Sequence, residues 1–330
     1  MLVHGGRLAE ARRLFPGAPE PFVDLSTGIN AVPYPIPALP PDAFARLPEP
    51  EAVEALQAAA AAAYGVESAA MVAAAPGTQS LIGLLPRLLP QREVGVLGPT
   101  YAEHAAAWRA AGARVAEVAR LEALEEAPCA VLCNPNNPDG RRAAPSALMG
   151  LADRLAGRGG LLVVDEAFAD LEDGVSVAPL LPHPAVVVLR SFGKAYGLAG
   201  LRLGFALAEA RTAGLIRAAL GPWAVSGPAV AVGCRALPDR GWAASAAARL
   251  GREAAELDRC LGAAGLRVAG GTRLFRLAEG PQAPRVFQQL GAAGILVRRF
   301  PAQPSWLRFG IPGQPHEWDR LRAALLPGAG

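Results

Sequence analysis

Short apolar runs recur along the chain, and each closes on polar or glycine-rich residues. Residues 93–97, 114–118, 130–133, 160–164, 186–189 and 203–207 read as strands, the run at 186–189 apolar throughout as in a buried strand. Between and after them, residues 51–63, 145–156, 209–220 and 242–264 read as helices, the first stopped by Gly65, and another helix opens after the turn at Gly77. Strands alternating with helices predict a parallel sheet with helices on both sides. Residues 266–330 show three short strands, near 272–277, 295–298 and 306–309, with helices near 282–293 and 316–326. This is the pattern of a smaller α+β domain. Residues 1–45 are rich in proline and glycine with little periodicity, and they predict an extended arm that completes the smaller domain. The expected organisation is an arm over 1–45, a large domain over 46–235 and a small domain over 236–330.

Several of the strands end on residues that carry chemistry. Residues 186–189 lead into Ser191-Phe192-Gly193-Lys194-Ala195-Tyr196-Gly197, with Arg202 eight residues beyond the lysine. A lysine crowded among small residues loses solvation, its pKa falls, and its amine becomes a nucleophile able to form a Schiff base. Ser191 and Arg202 supply a hydroxyl and a guanidinium suited to a phosphate. Val163-Val164-Asp165 places a carboxylate at the carboxyl end of a strand, and Cys133-Asn134-Pro135-Asn136-Asn137-Pro138 is a tight polar turn at the end of another. Gly77-Thr78-Gln79 opens a helix, where free backbone amides bind phosphate. Taken singly, these features have ordinary readings. Thr78 caps a helix, Tyr101 fills a core, His4 is a solvated terminal histidine, and Arg298 is a solvated charge at a strand end.

Their order along the chain resembles the fold-type I pyridoxal-phosphate enzymes, the aspartate aminotransferase superfamily, over nearly its whole length. The resemblance implies an aspartate-aminotransferase-like α/β fold with pyridoxal 5'-phosphate as cofactor. It implies that Lys194 and Asp165 are catalytic, with Asp165 holding the ring nitrogen protonated. Gly77, Thr78, Gln79, Ser191 and Arg202 would serve the phosphate, Tyr101 the ring face, and Asn137 the phenolic oxygen. Arg308, in Leu307-Arg308-Phe309-Gly310, matches the arginine that grips the substrate carboxylate. Phe168 stands where the aminotransferases mostly carry tyrosine, so one hydrogen bond worth about 1 kcal/mol is missing.

His4-Gly5-Gly6, the Ser26-Thr27-Gly28-Ile29-Asn30 turn and Asp165-Glu166-Ala167-Phe168 together resemble the threonine-phosphate decarboxylases of cobalamin biosynthesis. Histidinol-phosphate aminotransferases are the next nearest group. Ala31 and Val32 follow Asn30, where the decarboxylases commonly have proline. This resemblance implies an amino acid phosphate as substrate. Arg308 and Asn137 would take its carboxylate, and His4, Gly5, Gly6, Asn30 and Arg298 its phosphate. It also implies a homodimer, with the arm and the aromatic residues around Tyr34 crossing the interface.

Composition narrows the alternatives. Apolar residues make up 52% and charged residues 18%, which excludes a disordered chain. A net charge of +3, with basic and acidic residues mixed, gives no nucleic-acid footprint. The alanine run at 58–63 is too short to span a bilayer. The first residues lack a charged segment followed by an apolar one, so no leader is expected. No helix-turn-helix pattern precedes residue 45, and no Gly-x-Gly-x-x-Gly turn follows the first strand, against a regulator and a dehydrogenase. Cys129, Cys133, Cys234 and Cys260 lack metal spacing; the first two read as core thiols, no metal is expected, and a reducing cytoplasm fits.

Overall fold

The computed structural model describes residues 4–36 and 38–326. Residues 1–3, part of the segment in which no leader was expected, lie outside the described residues, as do 37 and 327–330. The chain divides into two compact units, one formed by residues 34–137 and 141–243, the other by residues 4–33, 138–140 and 244–326.

Twelve strands are taken in chain order. β1 (Val23–Leu25) belongs to the smaller unit. β2 (Val72–Ala75), β3 (Glu93–Leu97), β4 (Arg114–Val118), β5 (Cys129–Cys133), β6 (Leu161–Asp165), β7 (Val186–Ser191) and β8 (Gly204–Leu207) build the larger one. β9 (Arg267–Thr272), β10 (Phe275–Glu279), β11 (Ile295–Phe300) and β12 (Gln303–Gly310) return to the smaller.

The larger sheet has the order β2-β8-β7-β6-β5-β3-β4, and only β8 runs against its neighbours. β5, β6 and β7 are buried along their full length, which is why they read as unbroken apolar runs. Their carboxyl ends deliver Cys133, Asp165 and Ser191, with Cys133 directly opposite Asp165 in the register. Ligands of open parallel sheets bind at such ends. β2 escaped the sequence pattern because Val72-Ala73-Ala74-Ala75 lacks the branched side chains that distinguish a strand. The helix Gly227–Ala236, capped by Ser226 accepting from the Ala229 amide, also went unread in a stretch interrupted by glycine and proline.

The smaller sheet has the order β1-β11-β12-β10-β9, with β1 parallel to β11 and the remaining pairs antiparallel. The strand expected near 272–277 takes in the end of β9, the turn at 273–274 and the start of β10, so the described residues 266–326 hold four strands rather than three. Nor is the arm wholly extended. Leu8–Leu14 is a helix with Ala11 buried, and Phe15 packs on Phe287 at 5.7 Å between ring centroids.

Candidate active site

The residues expected to hold the cofactor all lie in the larger unit. At the start of the helix Thr78–Leu88, Gly77 has φ +84°. A Cβ on Gly77 would lie 2.7 Å from Arg202 Nη2, and one on Gly204 would lie 2.8 Å from the Thr78 amide nitrogen. Backbone amides and a guanidinium therefore crowd one glycine-lined cradle, the arrangement that binds a phosphate. Arg202 reaches it from a left-handed backbone, φ 56°, with Nη1 donating to the Ala199 carbonyl at 3.1 Å. Ser191 is buried at the end of β7. The Gln79 side chain turns elsewhere. Its Oε1 accepts from the Tyr101 hydroxyl at 3.0 Å and its Nε2 donates to Glu103 at 3.2 Å, so its side chain steadies the tyrosine.

Asp165 is 4% exposed, and both its oxygens are engaged: Oδ1 accepts the Ala167 amide at 3.0 Å, and Oδ2 meets His104 Nε2 at 2.8 Å. His104 was not anticipated. It lies three residues after Tyr101, one turn along the helix Glu103–Ala110, and that spacing is the signal that could have found it. Cys133, a buried core thiol as expected, also places its Sγ 3.9 Å from the same Asp165 oxygen. Burial pushes the imidazole pKa down, but Cys133 and the Asp165 carboxylate outweigh it and carry His104 up to about 10. The shift favours the charged imidazole, which lies in hydrogen-bond contact with Asp165.

Lys194 is half-buried in the short helix Phe192–Ala195, with Nζ 5.8 Å from the centroid of the buried Phe168 ring. It is the only lysine in the chain; every other basic side chain of the Lys and Arg class is arginine. Guanidinium groups stay protonated near neutrality, so Lys194 carries the only ε-amine available as a nucleophile.

The turn before Asn137 is pinned by its own asparagines. Asn134 Nδ2 donates to the Val175 carbonyl at 3.0 Å, and its Oδ1 accepts the Ala143 amide at 2.9 Å. Asn136 Nδ2 donates to the Pro99 carbonyl at 2.9 Å, and its Oδ1 accepts from Thr100 at 2.6 Å. These bonds fix the loop that presents the half-buried Asn137.

A second buried network also escaped the sequence reading. Arg190, next to Ser191, donates to Glu166 at 2.7 Å, pairs with Asp170, and lies over the Tyr64 ring at 4.4 Å. Glu166 also accepts from Ser176 at 2.6 Å and from the Val177 amide at 2.7 Å. Burial raises the pKa of both carboxylates, while the nearby arginine opposes the rise. The network joins the residue after Asp165 to the residue before Ser191, so it ties the carboxylate end of the site to the lysine turn. Its signal is a charged residue, Arg190, inside an otherwise apolar strand.

The residues expected to meet the substrate, Asn137 apart, lie in the smaller unit. Arg298 on β11 stands directly opposite Arg308 on β12. Arg308 is 7% exposed, and its Nη2 donates to the Ser26 carbonyl at 3.0 Å. Burial, reinforced by the Arg298 charge and opposed by Asp24, draws its pKa down to about 9. Two guanidinium groups thus face one another across this strand pair, with Asp24 near enough to oppose their repulsion. His4 is exposed. Asn30 is buried, with Oδ1 accepting from Arg249 at 2.7 Å and from the Val32 amide at 3.1 Å, so its carbonyl works within the fold.

Residues 28–325 match the model of the aminotransferase class I and II family. The chain is 46% identical to a threonine-phosphate decarboxylase of Sinorhizobium sp, covering 98% of this chain and 97% of that protein. It is 43% identical to one of Pseudomonas aeruginosa, covering 99% and 98%. A histidinol-phosphate aminotransferase of Stenotrophomonas maltophilia is 34% identical over 85% of this chain and 83% of its own length. Among solved structures, L-threonine-O-3-phosphate decarboxylase from Porphyromonas gingivalis shares the fold at TM-score 0.74, covering 92% of this chain and 98% of that one at 21% identity. Histidinol-phosphate aminotransferase from Sinorhizobium meliloti, solved with pyridoxal-5'-phosphate, shares it at TM-score 0.78, covering 98% and 94% at 24% identity.

Proposed function

Since the chain belongs to the aminotransferase class I and II family, we propose that it is a pyridoxal-phosphate-dependent threonine-phosphate decarboxylase. It removes carbon dioxide from L-threonine O-3-phosphate and yields 1-aminopropan-2-ol O-phosphate, a building block of cobalamin. The observation that carries this reading is full-length similarity, at 46% and 43% identity, to two threonine-phosphate decarboxylases. The placement of Arg298 opposite Arg308 supports it, because both ends of this substrate are anionic and suit guanidinium groups.

The larger unit fits the cofactor. Gly77, Thr78, Ser191 and Arg202 would hold its phosphate, Tyr101 its ring face, and Asn137 its phenolic oxygen. The buried Asp165, in contact with His104, would hold the ring nitrogen, and Lys194 the aldehyde carbon. When bound, pyridoxal phosphate takes up the electron pair released as the bond to the carboxylate breaks. The chain does the rest. Asp165 would keep a proton at the ring nitrogen, and Lys194 would supply the amine that holds the cofactor and a proton for the α-carbon. Arg308, with a fork that matches a carboxylate, would take the group that leaves, and Asn137 is assigned to the same group. His4, Gly5, Gly6 and Arg298 take the phosphate of the substrate. The Asn30 side-chain carbonyl accepts from Arg249, so that oxygen serves the fold, and Asn30 stands as the weakest of the residues assigned to the phosphate.

We assign the protein to a homodimer in the cytoplasm. Ile36, Phe44, Leu47 and Trp223 are 57%, 71%, 62% and 57% exposed, large apolar side chains of the kind a partner covers. Tyr34 takes no part in this display. It is buried against Tyr196 and Trp242, and its hydroxyl donates to Asp239 at 3.2 Å. No helix among the described residues is long and apolar enough to cross a membrane. A fully active monomer by light scattering would overturn the dimer.

The deciding experiment supplies purified protein with L-threonine phosphate and follows carbon dioxide, with keto-acid formation from an amino acceptor read in parallel. Release of carbon dioxide without dependence on 2-oxoglutarate is expected. Consumption of histidinol phosphate that requires 2-oxoglutarate, with no carbon dioxide from threonine phosphate, would move the protein to the aminotransferases.

A further inference from the structure

Ser26 lies 2% exposed just after β1 and joins two parts of the smaller unit. Its Oγ accepts the Gly6 amide at 2.7 Å and donates to Asp24 Oδ1 at 2.5 Å. The same Asp24 oxygen accepts the Ser26 amide at 2.9 Å. A hydroxyl has one proton to give. Asp24 takes it, which leaves the oxygen lone pairs turned to Gly6. On the other side, the Ser26 carbonyl accepts from Arg308 Nη2 at 3.0 Å.

The N-terminal segment passes this residue at backbone contact. A Cβ on Gly5 would lie 2.4 Å from the Ser26 carbonyl oxygen, and Gly6 has φ +79°, so neither position accommodates another residue without strain. Farther along, the segment is anchored independently of Ser26. Ala11 is 1% exposed, and Phe15 rests on Phe287. Removing the Ser26 hydroxyl should therefore release residues 4–6 and leave the fold in place.

We propose that Ser26, oriented by Asp24, is a positioning residue that latches His4-Gly5-Gly6 in place to receive the phosphate of the substrate. Because the same residue holds Arg308 through its carbonyl, it fixes the spacing between the group that takes the carboxylate and the group that takes the phosphate. It thereby contributes to the choice of phosphorylated over unphosphorylated amino acids. This rests on the reading that the N-terminal segment binds the substrate phosphate.

The test compares Ser26→Ala, Ser26→Thr and His4→Ala in the holoenzyme. Ser26→Ala should raise KM for L-threonine phosphate about tenfold, the scale of one lost hydrogen bond. It should leave kcat within about twofold and narrow the preference for threonine phosphate over threonine by a similar factor. Hydrogen exchange in the N-terminal peptide should speed up at Gly6. Ser26→Thr, which keeps the hydroxyl, should restore both KM and exchange. Asp24→Asn provides a second variant that retains the Ser26 side chain, and it should raise KM in the same direction. If His4→Ala raises KM while Ser26→Ala and Asp24→Asn leave it unchanged, the segment binds phosphate but the latch is overturned. If none of the three alters KM, the phosphate reading of the segment fails and the latch fails with it. Faster exchange with unchanged KM would also overturn the proposal.

Discussion

The two units solve opposite electrostatic problems. In the larger one, charge is matched inside the fold. Asp165 has His104, and Arg190 has Glu166 and Asp170, all buried. In the smaller one, Arg298 faces Arg308 across a strand pair, and burial with that repulsion draws Arg308 down to about 9. A site that holds a permanent group benefits from dipoles and charges already set in place. A site that takes up and releases an anion on each turnover benefits from cations brought close together. The contrast suggests which substitutions should destroy chemistry and which should only weaken substrate binding.

The largest effect is expected at Lys194. Lys194→Ala should reduce turnover by at least about a thousandfold, the loss typical of removing a covalent nucleophile. Borohydride treatment of the wild type should fix one pyridoxyl group, and digestion should locate it on the peptide carrying residue 194. With no second lysine in the chain, the variant should fix none on any ε-amine. A fixed group at the N-terminal amine, with Lys194 unmodified, would break the assignment. Asp165→Asn comes next. An uncharged partner no longer keeps the ring nitrogen protonated, and turnover should fall about a hundredfold or more while part of the cofactor stays bound.

Arg308→Lys probes the other side of the comparison. Lysine retains the charge but loses the two-pronged grip, so KM for threonine phosphate should rise about tenfold to a hundredfold. Cofactor absorbance should be unchanged, because Arg308 is assigned to substrate alone. Loss of cofactor from this variant would erase the distinction between the two units.

Much of the larger unit was legible because parallel strands buried on both faces leave unbroken apolar runs, and β6 and β7 end on residues assigned to the candidate site. Asp165, Ser191 and Lys194 could be read this way. His104 and Arg190 could not. Their roles arise from the sheet order, which sets a helix against the end of β6 and an arginine of β7 beside two carboxylates. Gln79 shows the converse: its place at the helix start was readable, but the Tyr101 and Glu103 partners that claim its side chain were not. In the smaller unit, Arg308 was readable as a motif, whereas its pairing with Arg298 depends on a hairpin register that periodicity does not specify. Ser26 was readable only as part of a turn, since its acceptor role is set by Asp24 and by a segment some 20 residues away.

The smallest effect sharpens the account of the matched charges. His104 has a folded pKa of about 10 against an ordinary 6.5. A base raised on folding adds stability that is fully present below its unfolded value and disappears as pH rises through its folded one. The His104 contribution should therefore be complete below pH 6.5 and lost progressively between 6.5 and 10. His104→Gln keeps an amide donor for Asp165 but carries no charge, so it lacks this dependence. The wild type should melt about 2–5 °C above the variant at the acid end of the window, the scale of one to a few kcal/mol in a chain of this size. The gap should close toward the alkaline end. Thermal unfolding of both proteins in the same buffers measures it directly. A gap constant across the window would mean that His104 acts by shape and hydrogen bonding alone, and that Asp165 is not held by a paired charge. A gap that widens with pH would contradict a stabilising charged imidazole at this position.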